Sequence, residues 1–97
     1  MRKKLFGEAN PKTKKVQFNL FAPEAERVSL AGNFNNWDVD DLPMKKDKRG
    51  AWKASFTLPS GRYEYRFWVD EVWRDDPNAQ ERVENPFGSQ NCLRIVS

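Results

Sequence analysis

Histidine is absent from the 97 residues, and cysteine occurs once, at Cys92. A lone thiol closes no internal disulfide, and without imidazole neither a Cys/His zinc site nor Ser-His or Cys-His nucleophilic catalysis can be assembled. Long apolar runs are missing too. Nothing approaches the roughly 18 residues that span a bilayer, and the basic start Met1-Arg2-Lys3-Lys4 is followed by no apolar h-region. The expectation is a cytoplasmic protein with no membrane partner. The length of 97 residues suits one domain and leaves no room for a separate catalytic one.

Aromatic rings are abundant instead, with four Trp, two Tyr and seven Phe. In a chain that is 38% hydrophobic and 32% charged, they supply much of a small core, which excludes a disordered or fibrous chain. The net charge of +3 is unevenly placed. Arg2, Lys3, Lys4, Lys12, Lys14 and Lys15 face only Glu8 among the first fifteen residues, so the remainder is slightly acidic. This predicts a basic amino-terminal arm over residues 1–13, prone to fraying, ahead of a single domain over 14–97. An arm of that composition is read as a solubility device, and the acidic body argues against nucleic acid as a partner.

From Lys14 onward, short runs of period two are separated by turn residues. Val16, Phe18 and Leu20 form one apolar face, Val28 and Leu30 a second, and Trp52, Ala54, Phe56 and Leu58 a third. Tyr63, Tyr65, Phe67 and Val69 follow Pro59-Ser60-Gly61, which reads as a hairpin turn between the third run and the fourth. Leu93 and Ile95 mark a last strand, and Leu5 a frayed first one. The fold class is all-β, an immunoglobulin-like β-sandwich of about seven short antiparallel strands.

Three connections carry a large ring beside small polar groups: Gly32 to Asp38, Asp70 to Trp73, and Asn85 to Asn91. Trp37 and Trp73 fall outside the buried alternation, either as caps on the ends of the sandwich or as flat platforms for a ligand. Their neighbours Asn33, Asn35, Asn36, Ser89, Gln90 and Asn91 are neutral donors and acceptors that match hydroxyl groups, whereas an anion calls for clustered Arg and Lys. Sugars fit, since the C–H face of a pyranose lies on an indole while its hydroxyls reach sideways. Strand parity places Arg66 and Trp68 on the outer face, with Trp68 read as support for Arg66. Asp38, Asp40 and Asp41 lack the Gly and later Glu of a calcium loop, so they are read as solvated acids and no metal or cofactor is expected. Glycoside hydrolysis needs two carboxylates across an enclosing cleft, which a small sandwich does not offer.

These stretches, together with Gly61 to Asp70, Trp73 and Asp76-Pro77, resemble carbohydrate-binding modules of family 48. That family includes the glycogen-binding domains of AMP-activated protein kinase β subunits and the amino-terminal modules of branching enzymes and isoamylases. The resemblance covers about residues 14 to 97 and implies an early-set immunoglobulin-like fold and non-catalytic binding of α-1,4-linked glucan. It implies that Trp37 and Trp73 stack on glucose, and that Arg66 and Asn91 hydrogen-bond its hydroxyls. Ser89 stands where the family has threonine, and Phe87 where a leucine enters the bend of the glucan. The usual Asp-Gly turn is Asp70-Glu71 here, so the turn that carries Trp73 is expected to be strained. The alternative is a protein-interaction domain that docks on a separate glucan-metabolising enzyme or kinase subunit and binds no sugar itself.

Overall fold

A computed structural model describes residues 13–97, and among these it contains eight strands and no helix. They are β1 (Thr13–Phe21), β2 (Val28–Gly32), β3 (Lys45–Lys46), β4 (Ala51–Pro59), β5 (Gly61–Val69), β6 (Val72–Arg74), β7 (Glu81–Glu84) and β8 (Gln90–Val96). The strand expected at Leu5 and the basic arm up to residue 12 lie outside the described residues. One antiparallel sheet has the order β1-β4-β3 and the other β2-β5-β8-β7, with β6 added to β5. The result is an immunoglobulin-like sandwich.

Alternation decides which rings enter it. Val16, Phe18 and Leu20 of β1 pair with Phe56, Ala54 and Trp52 of β4, so their apolar faces coincide. Phe18 is fully buried at the centre, 4.9 Å from Tyr65 and 5.7 Å from Phe56 between ring centroids, with the Arg94 guanidinium 4.4 Å from its own. Trp52 is buried as well, and its indole N–H donates to the Ala22 carbonyl at 2.8 Å.

Three expectations change. β4 and β5 do not form a hairpin around Ser60; they belong to opposite sheets, and the chain crosses the sandwich there. Period two shows that each strand has a buried face, but two such faces can oppose one another as readily as lie side by side. In β8 the core-facing residues are Cys92, Arg94 and Val96 rather than Leu93 and Ile95. Ile95 is 53% exposed, while Leu93 is buried on the outer side, where β7 pairs with it. Finally, β2 is buried on both faces. Residues 42–44 pair along its free edge, with Leu30 N–H donating to Leu42 O and Met44 N–H to Val28 O.

The link after β6 is fastened from inside. The Asp76 carboxylate, itself buried, accepts from the Tyr65 hydroxyl at 2.7 Å and from Asn78 N–H at 2.8 Å, and Asp76 N–H donates to Cys92 Sγ. Burial, reinforced by Asp76, pushes the Tyr65 hydroxyl well above the ordinary phenol range, so it stays a donor.

Candidate functional site

β5 turns Tyr65, Phe67 and Val69 inward, which leaves Glu64, Arg66 and Trp68 on the outer face of the five-stranded sheet. Trp68 lies directly across from Trp73 on β6, with the ring centroids 4.7 Å apart at 64°. Trp68 therefore backs Trp73 rather than Arg66. The Arg66 guanidinium instead lies 6.0 Å from the Trp73 ring, and its Nε donates to Asp75 at 3.0 Å.

Trp73 reaches this position because the two-residue turn forms without glycine. Asp70 and Glu71 both adopt positive φ, 48° and 69°. The Asp70 carboxylate offsets part of that strain. It accepts Arg27 N–H at 2.8 Å and Glu26 N–H at 3.0 Å, while Asp70 N–H donates to Arg27 O. The turn is clamped to the end of the β1–β2 loop, and Trp73 stands 36% exposed beyond it.

Trp37 is held by a different device. Asn36 and Trp37 both lie in the left-handed region, φ 58° and 59°, an unfavourable conformation for a bulky side chain. Asn35 organises the loop: its Oδ1 accepts Gly32 N–H at 3.0 Å, and its amide donates to the carbonyls of Leu30 and Asp38. Trp37 N–H in turn donates to Gly32 O at 2.9 Å. Gly32 is required by proximity, since a Cβ there would run into Glu64 O and the Phe34 ring. The loop sets the Trp37 ring 6.2 Å from Trp73 at 80°. The two flat indoles thus form a corner. Further along, Asp38 uses its carboxylate to accept Asp40 N–H, a local turn contact.

The third wall comes from the β7–β8 loop, folded around Asn85. Its Oδ1 accepts the N–H groups of Phe87 and Ser89, and its amide donates to Ser89 Oγ at 2.9 Å and to Asn91 Oδ1 at 3.1 Å. Asn91, buried at 8% exposure, passes the chain on to Glu64 Oε1 at 3.0 Å. Because the Ser89 hydroxyl also donates to Asn85, it has only acceptor capacity left for a ligand. Phe87 is 90% exposed at the tip.

Trp37, Arg66, Trp73, Phe87, Ser89 and Asn91 all line one open groove of about 540 Å³. The same groove includes Glu64, which the sequence reading leaves out although the parity that exposes Arg66 exposes it too. Asn33 and Asn85 also line it, both also bonded to neighbouring strands or loop. Among the described residues, no group of His, Cys, Asp and Glu is placed to hold a metal ion.

A shallow groove that sets indole faces among neutral amides, on a small rigid sandwich, defines a binding module. The chain belongs to carbohydrate-binding module family 48, the isoamylase N-terminal domain, whose family profile matches residues 6–85. It is 42% identical over 77 residues to the rice chloroplast protein FLOURY ENDOSPERM 6, covering 79% of this chain and 14% of that one. It is 36% identical to the 1,4-alpha-glucan branching enzyme GlgB of Lactobacillus acidophilus, over 80% of this chain and 13% of the enzyme. It is also 38% identical to the 5'-AMP-activated protein kinase subunit beta-1 of Rattus norvegicus, over 70% of this chain and 24% of the subunit. The chain thus spans 13 to 24% of the length of these curated relatives.

Proposed function

We propose that the protein is a non-catalytic module that binds α-1,4-linked glucan, such as glycogen, starch or maltooligosaccharide, in the groove between Trp37, Trp73 and the Phe87 loop. The observation that carries this reading is the 80° corner of the two indoles. Successive glucoses of an α-1,4 chain turn relative to one another, so a curved chain can lay one ring on each indole, whereas a flat cellulose ribbon meets only one. Arg66 and Asn91 are the hydrogen-bonding groups of the rim, Ser89 is an acceptor, and Phe87 fills the concave side of the bend. The strain stored at Asn36 and Trp37 supports the same reading, because backbone held in a sparsely populated region concentrates at ligand sites.

The groove is open, so each sugar–protein hydrogen bond replaces one to water, and net affinity is modest. Maltoheptaose and β-cyclodextrin are expected to bind with Kd between roughly ten micromolar and a few millimolar, or about −4 to −7 kcal/mol. Titration calorimetry measures this directly, with cellohexaose as the weak control. Absence of heat at millimolar maltoheptaose refutes the assignment. The relatives carry this region as a small part of a longer chain, which supports a module that works joined to, or docked on, a glucan-metabolising enzyme or kinase subunit.

A further inference from the structure

Beside the aromatic corner, on the same outer face, lies a second groove of about 330 Å³ lined by Glu26, Arg27, Ser29, Trp68, Asp70 and Glu71. It continues one rung across the sheet. Ser29 on β2 faces Trp68 on β5, and Trp68 faces Trp73 on β6. The half-buried Trp68 ring therefore stands between the two grooves, backing Trp73 on one side and flooring the second groove on the other. The walls are rigid, because the Asp70 carboxylate joins the Glu26-Arg27 backbone to the turn.

What the groove offers is chemically specific. Ser29 is 5% exposed, and no described residue hydrogen-bonds its hydroxyl. A buried hydroxyl without a protein partner is unfavourable unless a ligand supplies one. Nor does any described residue pair with the side chains of Arg27, Glu26 or Glu71 at the rim, so donors and acceptors of both kinds remain available. Three carboxylates against one guanidinium disfavour an anion, and these acids are not grouped to hold a metal ion. An indole floor, a buried hydroxyl and mixed polar walls fit a neutral polyol ring.

We propose that this groove is a further sugar subsite, which takes the glucose units of a longer linear α-glucan beyond those held in the Trp37–Trp73 corner. The proposal rests on the glucan reading above. A short chain ends before it, and a cyclic glucan, closed on itself around the Phe87 loop, cannot extend into it.

The test compares maltotriose, maltoheptaose and β-cyclodextrin by calorimetry on the wild type and on Ser29→Ala and Arg27→Ala. The first removes one hydroxyl and the second one exposed guanidinium, so neither disturbs the core. Each variant is expected to weaken maltoheptaose roughly three- to tenfold, as loss of one or two net hydrogen bonds does. Maltotriose and β-cyclodextrin should stay within twofold of the wild type. In the 15N-labelled wild type, maltoheptaose should move the Arg27 and Ser29 amide resonances and β-cyclodextrin should leave them in place, a readout that depends on no variant. Unchanged maltoheptaose affinity in both variants, or an equal loss for all three sugars, overturns the subsite while the corner reading stands. A wild type that binds none of the sugars overturns both.

Discussion

Four residues without glycine's freedom adopt positive φ, and they sit in the two loops that deliver the indoles: Asn36 and Trp37 in one, Asp70 and Glu71 in the other. Such conformations cost about 1 to 2 kcal/mol for an ordinary L-residue, so each needs local compensation. Asn35 and Asp70 provide it through side-chain hydrogen bonds to the backbone. Within the Asp70-Glu71 turn, Asp70 is held by its carboxylate, whereas no hydrogen bond to the Glu71 side chain occurs among the described residues. Glu71→Gly is therefore expected to stabilise the fold by about 0.5 to 1 kcal/mol, a rise of a few degrees in Tm on thermal melting. β-Cyclodextrin affinity should be unchanged, because Glu71 does not line the groove between Trp37 and Trp73.

Among the elements, β4 and the β2–β3 loop each carry a tryptophan with opposite duties. Trp52 is 7% exposed, pairs with Leu20 across β1, and has its indole N–H bonded to Ala22. Truncation to Ala removes a buried ring and should destabilise by about 3 to 5 kcal/mol. Trp37 is only half-buried, with its ring edge-to-face on Trp73, so its truncation should cost less than that of Trp52. Chemical denaturation of Trp52→Ala and Trp37→Ala measures the difference, and a glucan titration of Trp37→Ala should show binding lost from a folded protein. The β3–β4 turn answers to acid. Asp47 accepts Ala51 and Arg49 N–H groups and faces Lys53, which holds its carboxyl below the usual range. A lowered folded-state value gives stability present above the unfolded pKa and lost as pH falls through the folded one.

At the scale of the whole molecule, the two outer faces carry different charge. Lys15, Lys45 and Lys53 project from the three-stranded sheet, with Lys45 and Lys53 directly opposed, while Glu64 lines the aromatic groove of the other sheet and Asp75 pairs with Arg66 there. Closure of the two sheets also decides the chemistry of Cys92. It is fully buried and accepts Asp76 N–H, and burial pushes its thiol up from the ordinary range. The native protein at pH 8 is expected to resist a thiol reagent, with labelling over a thousandfold faster in denaturing urea. Rapid labelling of the native state would mean that β8 opens without global unfolding.

Local patterning was enough for the all-β class and most of the core, because alternation of period two marks inward and outward positions one by one, whereas Phe87, Ser89 and Asn91 were nominated by resemblance to the family. Trp37 and Trp73 were legible as rings outside that alternation, and Arg66 as an outward position; Glu64 carried the same signal. Tertiary structure alone decided the rest. Whether β4 pairs with β5 or crosses to the other sheet depends on which neighbours each strand meets, and β1 and β8 are distant in sequence. The inward face of β8 turned on the coverage of Leu93 by β7. The 80° between the indoles and the groove behind Trp68 arise where loops from four parts of the chain converge on one sheet face, and no local pattern encodes an angle between rings that only packing brings together.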